Sequence, residues 1–316
     1  MSLSLWTPES GKEAIWSQSS KLLASADWDG SGFATQPLGA LGSFLCFEQI
    51  SGSQVLSDAL WTVQRGEGPV AAAAIHDGHG LRAEVAQRMA LSDADRLREE
   101  DPFTGQAIGG VPTHIVAHRS RFEADLNREQ AAAVYRTPAQ CWGLNVWRVP
   151  LEDEVANRSL QYHRRFYAMV ANILDEMAAD FPRFVLFDVH SYNHRREGPG
   201  APPTPAERAP EINIGTFSMP RDQWAWLLDP LMQAMRDYDF GGRRLDVREN
   251  VAFEGKGELT RFVHQRYPKT GCAIAIEFKK FYMDEWSGEP DPAALGHMRG
   301  WVSHVAAVAR ELLNGR

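Results

Sequence analysis

Short apolar runs recur along the chain, and each has the length of a buried strand. They cover residues 69–75, 113–117, 184–189, 212–217 and 272–278. Runs that are apolar on both faces are typical of a mostly parallel sheet covered by helices. The pattern therefore predicts a central sheet, although the alanines at 71–74 favour a helix by propensity alone.

Apolar residues at helical spacing lie between these runs. The longest such stretch covers residues 151–179 and is followed by Pro182, and two more cover 223–235 and 292–313. Strands alternate with helices, which predicts an α/β fold with a mixed, mostly parallel central sheet and helices on both faces. No linker divides the chain. We expect a single domain over residues 1–316, with residues 1–65 as an N-terminal extension without a recognised motif.

One segment is too rich in proline and glycine for regular structure. It covers residues 196–205 and follows directly on a polar motif at His190. Two interpretations are open, a plain surface loop and a lid over an active site.

Composition narrows the class of partner. Hydrophobic residues make up 44% of the chain, charged residues 23%, and the net charge is −8. A mildly acidic chain is a poor partner for nucleic acid or for an anionic membrane surface. No stretch has the length of a membrane span, and the start lacks the features of a signal peptide, so a cytoplasmic location is expected.

The cysteines are three, far apart, and without a CxxC pair: Cys46, Cys141 and Cys272. This pattern argues against a disulfide framework and against an all-cysteine zinc site. Thiols packed as small hydrophobic groups are the expected outcome. Any metal ion must then be held by histidine and carboxylate side chains.

Four polar clusters are expected at the C-terminal ends of the strands, where open α/β sheets build their sites. Two of them offer histidine. His76 and His79 follow the first strand among glycines, which fits either metal ligands or a surface turn. His190 ends the 184–189 strand, and Asp188, two residues earlier on the same side, is placed to orient its imidazole. A hydrogen-bonded core histidine is the alternative for His190.

The other two clusters offer carboxylates. Residues 98–102 form a charge run that reads as the solvated end of a helix. Glu277 interrupts an apolar strand. A buried carboxylate costs free energy unless it is paired or functional, so Glu277 is either a general base or half of a buried ion pair.

Two further segments suit anions. Residues 120–128 place Arg121, Asn127 and Arg128 after a strand, where they fit a carboxylate or an oxyanion. Residues 255–261 form a glycine-rich turn that enters a helix and lacks the spacing of a nucleotide-binding P-loop.

Taken in order, these motifs resemble the N-formylglutamate amidohydrolase family. They resemble more distantly the zinc carboxypeptidases and the aspartoacylase and succinylglutamate desuccinylase enzymes. The resemblance covers roughly residues 66–310 and rests on His76, Glu100-Asp101, Asp125-Leu126-Asn127-Arg128, Phe187-Asp188-Val189-His190-Ser191, Ile214-Gly215-Thr216, Gly257-Glu258-Leu259-Thr260-Arg261 and Ile276-Glu277.

The resemblance implies a zinc-carboxypeptidase-like (phosphorylase/hydrolase-like) fold that binds one zinc ion, with another divalent metal as an option. It makes His76 and His190 metal ligands. Asp101 matches the acidic position best as the third ligand, and Glu100 and His79 are its rivals.

The same resemblance implies the reaction and the remaining roles. Glu277 is the general acid and base, and Arg121 stabilises the oxyanion. Asn127 and Arg128 hold the carboxylate of the amino-acid part, and Arg261 holds a second, side-chain carboxylate. The implied activity is hydrolysis of a small N-acyl amino acid such as N-formyl-L-glutamate to formate and the amino acid, a step in amino-acid catabolism of the histidine-degradation type.

Two departures from the family pattern leave the substrate open. The run His76-Asp77-Gly78-His79 and the proline-rich insertion are both unusual, so another N-acylated or a cyclic compound is an option. A zinc carboxypeptidase or small-peptide amidase on the same scaffold is one alternative. A binding protein that lost its metal is another. A serine hydrolase is disfavoured because no G-x-S-x-G elbow is present. The oligomeric state is open, a homo-oligomer included.

Overall fold

The computed structural model describes residues 60–315, which contain seven strands and seven α-helices. The strands are β1 (Trp61–Gln64), β2 (Val70–Ala74), β3 (Thr113–Ala117), β4 (Phe184–Tyr192), β5 (Ile212–Gly215), β6 (Val247–Glu249) and β7 (Gly271–Lys279). The helices are α1 (Ala83–Ala86), α2 (Asp93–Glu99), α3 (Thr104–Ile108), α4 (Asp153–Asp180), α5 (Arg221–Asp237), α6 (Glu258–Arg266) and α7 (Pro292–Asn314).

The strands form one mixed sheet in the order β1-β3-β2-β4-β7-β5-β6. The four inner strands β3, β2, β4 and β7 run parallel. The edge strand β1 is antiparallel to β3, and β5 and β6, parallel to each other, run against β7. The predicted α/β fold with a mixed, mostly parallel sheet is confirmed. Strand β1 lies inside the expected N-terminal extension, and residues 1–59 of that extension lie outside the described residues.

Helices cover both faces of the sheet, and each face has its own apolar core. One core packs α3, α5 and α7 against alternate residues of β2, β4, β5 and β7. The other packs α4 and α6 against the opposite face. Burial on both faces explains why the inner strands are mostly apolar, and β2 consists of Val-Ala-Ala-Ala-Ala.

The ends of the long helices follow from local sequence. Helix α4 ends at Asp180 because Phe181 precedes Pro182, and a residue before proline takes extended backbone (φ −127°, ψ 137°). Helix α7 begins with Pro292 behind Asp291, whose side chain accepts from the Ala293 and Ala294 N–H groups. All three helices predicted from spacing are present.

A third apolar cluster lies under the long connection between β3 and α4. It packs Phe122, Tyr135 and Cys141 against Val155 at the start of α4. The connection has little regular structure, so this packing is what gives it a fixed shape. It carries Arg121, Asn127 and Arg128 of the predicted site.

The described residues include two of the three cysteines and all the helices that could be compared with the length of a membrane span. Cys141 and Cys272 are buried and free, as expected of thiols packed as small hydrophobic groups. Cys46 lies outside the described residues. No helix within residues 60–315 is long and apolar enough to cross a membrane.

The stability of the fold is expected to depend on the protonation of His264. Strand β5 pairs with β7 only as far as Ala275, so the Ala273 N–H has no strand partner and donates to His264 Nε2 at 3.0 Å. Burial lowers the pKa of His264 to about 4. In the unfolded chain the imidazole of His264 is protonated near pH 6.5, whereas in the folded chain it stays neutral down to about pH 4. We therefore expect the free energy of unfolding to be highest above pH 6.5 and to fall by about 3 kcal/mol as the pH decreases to about 4.

The slope of unfolding free energy against pH checks this expectation. In urea titrations between pH 7 and pH 4, His264→Gln should flatten the acid loss, since glutamine offers an acceptor that does not titrate. His297→Gln, on the exposed side of α7, is the control and should keep the wild-type slope. An unchanged slope in His264→Gln would contradict this account.

Candidate metal centre

Three side chains predicted as metal ligands meet at the C-terminal edge of the parallel strands. His76 follows β2, His190 lies in β4, and Asp101 follows α2. All three are buried, and their ligand atoms lie within 4.8 Å of one another. Asp101 Oδ2 lies 3.3 Å from His76 Nδ1 and 3.1 Å from His190 Nδ1. Two imidazole nitrogens and one carboxylate form a donor set typical of zinc sites with an open position.

Each imidazole is held from behind by a second carboxylate. Asp125 Oδ1 lies 2.7 Å from His76 Nε2, and Asp188 Oδ1 lies 2.9 Å from His190 Nε2. Both contacts turn the Nδ1 atoms toward Asp101, and His76 Nδ1 is buried without a hydrogen bond. A carboxylate behind a metal-binding histidine orients the ring of that ligand. These residues therefore fit a divalent cation.

The electrostatics of the cluster also favour a cation. Although burial lowers it, the charge of Asp188 and the hydrogen bond with Asp101 raise the pKa of His190 well above its ordinary value. Although burial raises it, the hydrogen bond from His190 and the nearby His76 ring hold the pKa of Asp101 well below its ordinary value. The site thus stabilises positive charge between the two rings.

The segment that carries Asp101 is fixed by Ser191 of β4 and by Lys280, which directly follows β7. Ser191 Oγ donates to Asp101 Oδ1 at 3.1 Å. Lys280 Nζ donates to the main-chain oxygens of Arg98 and Glu100 at 2.5 and 2.7 Å. Burial lowers the pKa of Lys280 to about 8. The charge run at residues 98–102 ends helix α2, as predicted, but it does not follow a strand. The prediction of a solvated run is wrong, because Glu100 and Asp101 are buried.

Glu100 and His79, the alternative candidates for the third ligand, contact each other and not the other two ligands. Glu100 has extended backbone (φ −78°, ψ 175°), so its side chain and that of Asp101 leave the chain in different directions. The Glu100 carboxylate contacts His79 Nδ1 at 2.5 Å and also pairs with Ser120 and Arg96. Glu100 and His79 therefore satisfy each other outside the His76–Asp101–His190 cluster.

A cavity of about 180 Å³ opens beside the three ligands. Its lining is mostly polar and consists of His76, Glu99, Asp101, Arg121, Asn127, Trp142, His190, Ser191, Tyr192, Asn193, Arg196, Phe253, Glu277 and Lys280. A larger cavity of about 610 Å³ lies at the opposite edge of the sheet, around Gly68 and Phe181, and contains none of the predicted site residues.

Glu277 faces this cavity beside the ligands. It is the register partner of His190 across β4 and β7, so both side chains lie on the same face of the sheet. Burial raises the pKa of Glu277 to about 7. No hydrogen bond or ion pair to Glu277 is found within residues 60–315, so the buried-pair alternative has no partner there. A carboxyl group of this kind takes up and releases a proton near neutral pH.

Arg121 also lines the cavity. Its Nη2 atom donates to Asp125 Oδ2 at 3.0 Å, and its guanidinium lies 4.8 Å from the ring centre of Trp142. The Nε–H group of Arg121 is buried and makes no hydrogen bond. Arg121 is thus held at the cavity by a carboxylate and a ring.

Of the three predicted substrate-binding residues, one lines the cavity. Asn127 does so, with Nδ2 3.4 Å from His190 Nε2. Arg128 instead pairs with Asp125 at 3.3 Å and lies over Tyr135. Arg261 pairs with Glu129 at 3.1 Å and with Glu258. Neither arginine is among the cavity residues, because nearby carboxylates hold both guanidinium groups.

Two candidate functional residues, Asp125 and Arg196, were not predicted from the sequence. Asp125 stood in the motif with Asn127, and only its contact with His76, 49 residues earlier in the chain, gives it a role. Arg196 belongs to the proline-rich segment, which has no helix or strand between residues 193 and 211. Arg196 reaches the cavity, so the segment contributes at least one lining residue.

Asp125→Asn tests the supporting carboxylates. The variant keeps the volume of the side chain and removes the charge behind His76, so we expect metal affinity to fall about 10- to 100-fold. Competition with a chromogenic chelator measures the change, and a melting curve verifies the fold. Asp175→Asn, which removes a half-exposed partner of Arg266, is the control. An unchanged affinity in Asp125→Asn would show that this carboxylate does not support the site.

Comparison with known proteins agrees with this geometry. The sequence matches a family profile described as N-formylglutamate amidohydrolase over residues 68–283. A crystal structure of N-formylglutamate amidohydrolase from Ralstonia eutropha JMP134 is similar, with 17% identity over 82% of this chain and 100% of that chain and a TM-score of 0.64. A gene product of Agrobacterium tumefaciens is 15% identical over 82% of this chain and 96% of that chain, with a TM-score of 0.58. At these identities the two structures show a shared fold. No curated protein matches the sequence.

Proposed function

Because the chain belongs to the N-formylglutamate amidohydrolase family, we propose that it hydrolyses the amide bond of a small N-acyl amino acid at a zinc ion held by His76, Asp101 and His190. The observation that carries the proposal is the convergence of these three side chains beside Glu277 in one cavity. N-formyl-L-glutamate is the reference substrate, giving formate and glutamate. Another divalent metal suits the same ligands.

Each side chain has a task that follows from its position. A divalent cation, when bound, polarises the amide carbonyl and lowers the pKa of water. Glu277 accepts the proton of the attacking water and returns it to the leaving nitrogen. Arg121, which lines the cavity, donates to the oxyanion. Asn127 orients the substrate beside His190.

The size of the cavity favours a small substrate over a peptide. At about 180 Å³ it is smaller than the roughly 300–1,000 Å³ typical of sites for drug-sized ligands. The peptidase alternative requires an extended groove and is therefore less well supported. A binding protein that lost its metal has no use for a raised pKa at Glu277, which carries a cost in stability. A cytoplasmic location and a role in amino-acid catabolism, including histidine degradation, belong to the proposal.

Assaying purified protein with zinc against N-formyl-L-glutamate and a panel of N-formyl and N-acetyl amino acids tests the proposal. Release of the free amino group is measured with an amine reagent, and formate is measured independently. We expect zinc-dependent release from at least one member of the panel. Absence of release from every member, with zinc bound, would contradict the proposed function.

A further inference from the structure

Two aromatic side chains line the cavity while remaining open to solvent. Trp142 is 51% exposed and Phe253 is 39% exposed. Exposing a large apolar side chain gives up the free energy of its burial, and aromatic side chains beside a polar cavity are typical of ligand contacts. The two residues come from different loops, one before α4 and one before α6.

Trp142 is held in place despite its exposure. Its backbone is left-handed (φ 50°), a conformation that is uncommon for a bulky residue. Its ring packs against the guanidinium of Arg121 at 4.8 Å and against the edge of Tyr135 at 6.2 Å. The contacts with Arg121, which also lines the cavity, and with Tyr135 fix the position of the indole at the cavity.

Phe253 is equally well supported. Asn213 Oδ1 accepts from the N–H groups of Val251 and Ala252 at 2.9 and 2.8 Å, and its Nδ2 donates to Phe253 O at 2.7 Å. The ring meets Tyr192 edge-on at 5.4 Å. Gly255 (φ +78°) lets the same loop press against β5, where a Cβ atom would lie 2.6 Å from Gly215.

Of the cationic side chains that line the cavity, Arg196 is the one without a close partner within residues 60–315 and can bind a substrate carboxylate. Arg121 is paired with Asp125, and Lys280 donates to main-chain oxygens. Arg196 is nearly half exposed, and its ion pair with Glu99 spans 3.9 Å, a contact that is weak in solvent. Arg261, expected to hold a second carboxylate, is outside the cavity lining.

We propose that the site selects N-acyl amino acids with a single carboxylate and an apolar group, in which Arg196 binds the carboxylate and Trp142 and Phe253 contact the apolar group. This inference rests on the proposed amidohydrolase function and narrows its substrate class. The apolar group is either the amino-acid side chain or the acyl group, and both present the same surface to the two rings. A second carboxylate, as in N-formyl-L-glutamate, would meet aromatic carbon in place of a cation.

Three substrates and three variants test the inference in the zinc-loaded protein. The substrates are N-formyl-L-phenylalanine, with an apolar side chain, N-benzoylglycine, with an apolar acyl group, and N-formyl-L-glutamate. We expect kcat/KM for one of the apolar substrates to exceed that for the glutamate substrate at least about tenfold. Trp142→Ala and Phe253→Ala should each lower that value about tenfold through KM, with little effect on the glutamate substrate. Arg196→Gln should raise KM for all three.

Phe217→Ala is the matched control, since Phe217 is 63% exposed and is not among the cavity residues. It should leave all three values unchanged. Preference for the glutamate substrate, or an apolar preference that survives both aromatic variants, would overturn the inference and leave the amidohydrolase function standing. Hydrolysis of none of the three substrates or of the wider panel would overturn the proposed function itself, and the inference with it.

Discussion

His190→Ala protein is expected to emerge from purification without bound metal and without hydrolytic activity. His190 supplies one of three ligand atoms, and its Nδ1 atom lies 3.1 Å from Asp101 Oδ2. With one imidazole removed, the remaining pair cannot complete the tetrahedral arrangement that zinc prefers. The loss in affinity should exceed the roughly 10- to 100-fold typical when only a supporting carboxylate is changed. Elemental mass spectrometry of dialysed protein measures it.

The variant also removes a partner of two buried carboxylates, Asp101 and Asp188, so its fold needs a separate check. His190→Asn retains polarity at that position and serves as a second variant, judged by circular dichroism and a melting curve. His114→Asn changes a buried histidine of β3 that bonds to Val111 O, away from the cavity. This control should keep its metal. A folded His190→Asn protein that retains stoichiometric metal would show that His190 is not a ligand.

Glu277→Gln should lower kcat by roughly 10³-fold, within the range of about 10²–10⁴ seen for general acid–base groups and equal to about 4 kcal/mol in the barrier. Glutamine fills the same space and cannot accept the proton of the attacking water. Metal content should not change, because Glu277 is not one of the three converging ligands. Steady-state kinetics and metal analysis of the same sample provide both readings.

The pH dependence of stability is a second measurement, which distinguishes a catalytic role of Glu277 from a structural one. Burial raises the pKa of Glu277 from 4.5 to about 7, so the folded state resists its ionisation. The carboxyl group carries no penalty below about pH 4.5 and destabilises the fold by up to about 3 kcal/mol above pH 7. Metal-free Glu277→Gln protein should therefore melt no lower than wild type at pH 8. Glu258→Gln, at the start of α6, is the control for kcat. Full activity in Glu277→Gln would remove Glu277 from the mechanism.

The parts of the fold that follow from the sequence are those with both faces buried. β3, β4 and β7 are mostly apolar and almost entirely buried, and their alternation with helices is enough to predict the sheet. The two edge strands have no such pattern. Trp61–Gln64 alternates between half-buried and exposed residues, and Val247–Glu249 has three residues, two of them charged. An edge strand has one neighbour and little burial, so its pairing depends on the rest of the sheet.

For the site, residue type was predictable and side-chain direction was not. His76, His190 and Glu277 were recognisable because polar residues at the ends of apolar strands have few structural explanations. Arg128 and Arg261 have the right chemistry, yet Asp125 and Glu129 hold them elsewhere. The sequence could not decide whether Glu100 or Asp101 is the metal ligand, because the backbone conformation determines which of the two side chains faces the histidines.

Zinc titration of metal-free protein tests the central claim most directly. Protein stripped with a chelator is titrated with zinc while amine release from the best substrate of the panel is followed. Activity should be absent without metal, rise in proportion to added zinc, and reach a plateau at about one ion per chain, as three converging ligands imply. Hydrolysis that persists at full strength in the stripped protein, or a protein that binds no zinc, would contradict a metal-dependent amidohydrolase.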